Sequence, residues 1–329
     1  MARAWSLKSR PQGLPTQANF ELIDLPQQPL AEGEVRVANR WLSVDPYMRG
    51  RMNDAKSYAA PFELGQPMHG GAVGEVIESR ADGFASGDWV QHMDGWRDEA
   101  VLAANDVQKL PPLDVPPQAF LGQLGMPGIT AYFGLLTVAE AKEGEVVFVS
   151  AAAGAVGSTV VQIAKARGMT VIGSAGGKDK CDWVRSLGAD HVIDYKSGEP
   201  VLKQLAAAAP AGIDVYFDNV GGEHLDAALA TMRMHARFAI CGMIDVYNST
   251  EPTQLRYLFR LIAVRARVQG FLVSDYLTRV GEFYRDMGAL LVAGKLKREE
   301  TVVEGLEAMP DAFLGLFSGQ NTGKMLVKV

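Results

Sequence analysis

Residues Glu145–Gly168 read EVVFVSAAAGAVGSTVVQIAKARG: an apolar run, a turn of small residues from Ala152 to Gly157, then an amphipathic helical pattern. A dinucleotide-binding βα unit needs this order. Its turn must be tight enough for main chain to touch a pyrophosphate, and the helix behind it must aim its first amides there. Alanine stands where the first glycine of the usual fingerprint would be, so the rest of the chain has to complete the reading.

Residues 1 to about 120 read as short strands broken by Gly, Pro and Asp, among them FELIDLP, EVRVANRWLSV, AVGEVIES and DWVQHM. They predict a β-rich domain, a partly open barrel. A proline-rich stretch from Leu110 to Pro117 marks a change of region, and GMPGITAYFGLLTVA reads as a turn entering a helix. From Gly144 the pattern is βα. Strands are expected at Val146–Ser150, Thr170–Ser174, His191–Asp194, Val215–Asn219 and Arg237–Cys241, with helices starting near Ala155, Asp179, Glu199 and Gly222. A helix over Thr253–Val264, a sixth strand in RVQGFLV and a long helix from Tyr276 to Ala293 follow, and KMLVKV is expected to return to the first domain. The expected division is 1–122 completed by 301–329, and 123–300.

Charge and cysteine content remove several classes. The formal net charge of -6 argues against general nucleic-acid binding, which wants a basic face. No stretch resembles a membrane span, and the opening MARAWSLKSRPQG lacks the continuous apolar segment of a signal peptide, so a cytoplasmic protein is expected. Cys181 and Cys241 are too few for a disulfide scaffold or a structural zinc site.

An NAD-binding unit usually ends its second strand on an acid that receives the ribose hydroxyls. Here that strand is TVIGSAGG, with Ser174 and two glycines at its end, and Lys178 and Lys180 follow. A 2′-phosphate is repelled by a carboxylate and attracted by an ammonium beside a helix start, which favours NADP(H). Asp218-Asn219-Val220-Gly221-Gly222 follows the apolar run IDVYF, at the strand end where open α/β sheets bind ligands. Asn219 there is either a cofactor contact or a turn and capping residue. Cys241 ends the next strand with no adjacent histidine to activate it, and reads as a packed thiol.

Together with VDPYMRGRM (Val44–Met52), FELGQPMHGGAVGEV (Phe62–Val76), AAAGAVGS (Ala151–Ser158), FDNVGG (Phe217–Gly222) and NTGK (Asn321–Lys324), these features span the chain. In them the chain resembles the zinc-independent medium-chain dehydrogenases/reductases that reduce alkenals and enones, the group of leukotriene B4 dehydrogenase/prostaglandin reductase, plant double-bond reductases and curcumin reductase. The resemblance implies a GroES-like β-rich domain and a Rossmann parallel-sheet domain that binds NADPH. It implies cofactor contacts through Gly154, Ala155, Val156 and Gly157, through Lys180, Tyr195 and Asn219, through Cys241, Gly242, Met243, Ile244 and Tyr247, and through Phe271, Leu272, Val273 and Asn321. Lys178 is left as an extra basic residue. It also implies a homodimer formed by edge strands of the nucleotide domains, with RVQGFLV as the candidate edge.

Zinc-bearing relatives in the superfamily hold their metal with Cys and His. This chain has no cysteine before Cys181, Gly70 stands where a glutamate would follow His69, and Ser43 and Asp45 occupy the expected thiol neighbourhood. No metal is expected, which suits a substrate that is already activated. In an α,β-unsaturated ketone or aldehyde, hydride added at the β-carbon sends charge to the carbonyl oxygen, where a hydrogen-bond donor stabilises it. By the resemblance Tyr247 is that donor; Tyr47 and Tyr58 are candidates for the substrate pocket or for aromatic packing, and Met126 for the pocket or for core filler. Arg49 and Arg51 read as makers of loop salt bridges. The alternatives are a zinc-free NADPH quinone reductase and, from another class, a non-catalytic NADPH-binding sensor or structural protein.

Overall fold

The computed structural model describes all 329 residues and divides them into two compact units, residues 1–121 with 300–329 and residues 122–299. The first unit begins with the antiparallel pair β1 (Ala2–Leu7) and β2 (Phe20–Leu25). It continues through β3 (Glu34–Ser43), the short helix α1 (Met48–Arg51), β4 (Ala72–Ser79), β5 (Trp89–His92), β6 (Glu99–Ala103) and β7 (Gln108–Lys109). β3 pairs antiparallel with both β4 and β6. Val35 and Val37 of β3 are buried with Val76, Val90, Ala100 and Leu102, the apolar face that alternation in these strands provides.

The second unit opens with α2 (Met126–Phe133) and then alternates β8 (Val146–Val149), α3 (Ala155–Ala166), β9 (Thr170–Ala175), α4 (Lys178–Ser186), β10 (His191–Asp194), α5 (Val201–Ala208), β11 (Ile213–Asp218), α6 (Gly222–Thr231) and β12 (Met232–Ile240). After α7 (Arg260–Val264), β13 (Arg267–Gly270) completes the sheet, and α8 (Val280–Val292) follows. The six strands are parallel in the order β10-β9-β8-β11-β12-β13, so the order reverses between β8 and β11. β11 lies in mid-sheet and buries every residue but Asp214 deeply, as a strand covered on both faces must. The chain then returns to the first unit with β14 (Glu300–Glu304), α9 (Met309–Ser318) and β15 (Lys324–Lys328). β15 pairs parallel with β14 and antiparallel with β3.

Three expectations about chain 253–293 are corrected. Only Arg260–Val264 is helical where a helix from Thr253 was expected. Asp226 takes the N–H groups of Arg256 and Tyr257 (2.7 and 3.1 Å) and the Arg256 guanidinium (2.8 Å), so those amides are not available to a helix ladder. RVQGFLV contributes only its first four residues to the sheet. The helix expected from Tyr276 begins at Val280, because Val273–Arg279 forms a 3₁₀ segment before it.

Each unit buries one neutral histidine. The Asp94 N–H donates to Nδ1 of His92 (3.1 Å), which leaves the proton on Nε2 to be donated to Asn39 (2.9 Å). His224 stacks on Phe148 and sets its Nε2 2.8 Å from the Ser174 hydroxyl. Burial pulls both rings from 6.5 down to about 4. Between those values the unfolded chain binds more protons than the folded one, so stability falls as pH drops from 6.5 toward 4. Shifts of this size amount to about 3 kcal/mol per ring. Urea unfolding across that window is expected to show the decline, with a shallower slope in His224→Asn. A flat profile in the wild-type protein would contradict it.

Candidate active site

The turn between β8 and α3 lies at the carboxyl end of the parallel sheet, beside the point where strand order reverses, the place where such sheets take ligands. Gly154 is the extended residue before α3, and Gly154, Ala155 and Val156 are half-buried, while Gly157 is buried. A Cβ at Gly157 would lie 2.2 Å from the carbonyl oxygen of Ala151, so only glycine lets the helix start this close to the turn. From Gly157 to Ala164 the helix is buried throughout, which fixes the direction of its first amides.

At the end of β9, Ser174 is fully buried and turned to His224, and no acid ends the strand. Tyr195 follows β10, stands edge-on to His224 with ring centroids 5.5 Å apart, and burial raises its hydroxyl pKa. Lys180 is half-buried and its ammonium is pulled below the ordinary lysine value, first by burial and then by the charge of Lys196. Lys178 is 84% exposed and engages Asp182 at 2.5 Å.

Asn219 bridges strand ends: its N–H donates to the Ser150 hydroxyl (2.9 Å) and its side-chain amide to the Ser150 carbonyl (2.8 Å). The adjacent Asp218 is fully buried and was not singled out from the sequence. One of its oxygens accepts from the Tyr216 hydroxyl (2.7 Å), the Ser150 hydroxyl (3.1 Å) and the amides of Val220 (2.9 Å) and Gly221 (2.8 Å). The other oxygen is buried without a partner, and burial raises the carboxyl pKa. Its main-chain carbonyl also receives the N–H groups of Cys241 (2.9 Å) and Gly242 (3.1 Å). An acid directly after an apolar strand and before paired glycines was the available signal.

Part of Cys241 reaches the surface, but its thiol is enclosed: burial, then the Asp218 charge, pushes it up to about 12, so it stays protonated. Gly242, Met243 and Ile244 are half-buried, and the Tyr247 hydroxyl accepts the Met243 N–H at 3.4 Å. Past β13, Phe271 meets Phe217 edge-on at 6.1 Å between centroids, Leu272 is half-buried, and Val273 opens the 3₁₀ segment. Met126 is half-buried at the start of α2.

In the first unit Tyr47 precedes α1, and its hydroxyl is buried with no partner; burial, then the Asp45 charge, raises its pKa. Tyr58 is 64% exposed, and Asn321 donates its side-chain amide to the Gly323 carbonyl (2.9 Å). Arg51 differs from expectation. Arg49 donates to the Gly13 carbonyl (2.8 Å) and to Asn53 (2.7 Å), while Arg51 donates to the Ala60 carbonyl (2.8 Å) and lies over the Phe62 ring. His69 sets Nδ1 2.9 Å from Asp94, which also holds Arg97 at 3.3 Å. Asp45 is shared between the Ser43 hydroxyl and the buried Lys324 ammonium. Nowhere do three His, Cys, Asp or Glu side chains gather where they could hold a metal ion.

Two family profiles match the chain, one described as the N-terminal domain of oxidoreductase over residues 3–110 and one as zinc-binding dehydrogenase over residues 155–292. The chain is 42% identical to the NADPH-dependent curcumin reductase of Escherichia coli, across 99% of this chain and 96% of that protein. It is also 42% identical to the NADP(+)-dependent 2-alkenal reductase of Nicotiana tabacum, across 98% and 96%. The crystal structure of CurA from Vibrio vulnificus in complex with NADPH is 43% identical and matches with a TM-score of 0.94 over 99% of both chains. Likeness of this degree along the whole length places the chain in the zinc-independent medium-chain dehydrogenase/reductase family, in its group of curcumin, alkenal and prostaglandin reductases.

Proposed function

We propose that this protein uses NADPH to reduce the carbon–carbon double bond of α,β-unsaturated ketones and aldehydes, without a metal. The observation that carries the reading is the full-length similarity to reductases named for curcumin and for 2-alkenals. The residues fit the cofactor. Gly157 keeps side chain out of the β8–α3 turn, so the Gly154–Gly157 amides face a pyrophosphate. No carboxylate ends β9, and Lys180 and Tyr195 stand ready for a phosphorylated ribose. Asn219, the segments 241–244 and 271–273, and Asn321 hold the rest.

Bound NADPH supplies a hydride for the β-carbon of the substrate. Negative charge then gathers on the carbonyl oxygen as an enolate, the Tyr247 hydroxyl donates to that oxygen, and a proton taken up at the α-carbon completes the reduction. Tyr47, Tyr58 and Met126 shape the enone's pocket. The protein acts in the cytoplasm as a homodimer paired along β13. All four residues of that edge strand are exposed, and Phe259 and Ile262 in the segment preceding it in the chain are 69% and 84% exposed, apolar surface that a second copy would cover.

Oxidation of NADPH and NADH against a 2-alkenal, an alkenone, a quinone and a saturated aldehyde tests the reading. NADPH-preferring turnover of the first two is expected, and quinone-only turnover would overturn it. In Tyr247→Phe, kcat for the enone is expected to fall about a hundredfold with NADPH affinity retained. An unpartnered buried hydroxyl costs about 1–3 kcal/mol. Tyr47→Phe is therefore expected to raise the Tm of the free protein while raising KM for the enone, and a lowered Tm would contradict that role. Sedimentation should give a dimer that Ile262→Glu weakens; a monomeric wild-type protein would count against the pairing.

A further inference from the structure

A dinucleotide spread across the reversal of strand order puts one half over the ends of β8, β9 and β10 and the other over those of β11, β12 and β13. The adenine-side ribose is read at the end of the second strand, here β9, so the nicotinamide half falls to the β11–β13 side. Residues 271–273 leave the end of β13 on that side. β13 itself stops at Gly270, and beyond it the sheet ladder no longer fixes the chain.

Aromatic contacts within the same unit take over. A Cβ on Gly134 would come within 2.4 Å of the Phe271 Cζ and 2.6 Å of the Phe217 Cε2, so the Phe271 ring packs directly on the helix main chain. Phe217, fully buried in β11, meets that ring edge-on, and Tyr276 meets it at a steep angle with centroids 6.5 Å apart. Tyr276 in turn lies flat on the buried Phe133, with centroids 4.9 Å apart and rings 11° from parallel, and the Arg279 guanidinium stands over Phe133. Both ends of the stretch from Phe271 to Tyr276 are thereby anchored on the last residues of α2 and the glycine after it. Gly134 has helical angles, φ -61° and ψ -42°, at which alanine would favour the helix more, so the glycine there serves the approach of the rings. From Gly134 to Val138 the helix also widens into a π turn, with the Ala139 N–H on the Gly134 carbonyl (3.0 Å), a feature that often accompanies functional sites.

We propose that Gly134 and the Phe133–Tyr276 stack are positioning residues that hold 271–273 in place for the nicotinamide half of NADPH. The proposal rests on the NADPH reading above. Affinity for NADPH and for adenosine 2′,5′-bisphosphate, which carries only the adenosine end, tests it together with amide hydrogen exchange of the free protein. Tyr276→Leu is expected to weaken NADPH about three- to tenfold and to leave the bisphosphate within about twofold of wild type. In the free protein it should speed exchange at residues 271–276 and leave β8 and α3 unchanged. Tyr276→Phe keeps the ring and should bind both ligands as the wild type does. Gly134→Ala, which drives Phe271 from its place, should show the same selective loss, and the Tyr276 variants decide the test where Gly134→Ala does not fold.

A Tyr276→Leu protein that loses NADPH and the bisphosphate alike would overturn the proposal, since that marks a general loosening of the unit. So would a Tyr276→Phe protein as weak toward NADPH as Tyr276→Leu. Wild-type protein that binds neither ligand would overturn the NADPH reading itself. Wild-type binding of both with an inert Tyr276→Leu would overturn only the positioning role.

Discussion

Helix α3 starts so close to the preceding turn that a Cβ on Gly157 would collide with the Ala151 carbonyl oxygen, and the second unit is organised around that approach. Ala151 takes a positive φ of 47° so that its carbonyl can receive the Gly154 N–H at 3.0 Å. Next to it the Ala152 N–H donates to the Ser174 carbonyl of β9 (2.8 Å), and Ser150 reaches across to Asp218 and Asn219 of the β11 end. Three strand ends are thus tied to one turn. Asp218 extends the tie to β12, since its carbonyl holds Cys241 and Gly242 and its carboxyl holds Val220 and Gly221. These strand ends and the turn share one buried hydrogen-bond network, which preorganises them before anything binds.

The first unit shows how residues in the neighbourhood of a metal site can be used otherwise. Asp45 is taken by the Lys324 ammonium, which also donates to the carbonyls of Val44 (2.8 Å) and Met325 (2.9 Å). Burial lowers the Lys324 pKa, and the adjacent carboxylate opposes that shift. The ion pair fastens β15 to the segment that leads into Tyr47.

Much of this was legible in the sequence. The parallel strands at 146–149, 170–175, 191–194, 213–218 and 232–240 lie where apolar runs met glycine-rich turns, because a sheet covered on both faces leaves a continuous apolar signal. Helicity before Arg260 was misjudged because Asp226, thirty residues earlier, captures the amides locally, and no periodicity reports a distant acceptor. Lys178 and Lys180 read alike from charge; the resemblance singled out Lys180, and the structure exposes Lys178 beside Asp182 while half-burying Lys180. The buried hydroxyl of Tyr47 was likewise invisible, since a tyrosine's missing partner is a property of packing.

The central claim is that hydride reaches the β-carbon of an enone while the carbonyl survives. Turnover of an alkenone with NADPH deuterated at the transferable C4 position, followed by mass and NMR analysis of the product, measures this directly. The account predicts a saturated ketone with deuterium at the β-carbon. Deuterium on the carbinol carbon of an allylic alcohol, with the alkene intact, would contradict it.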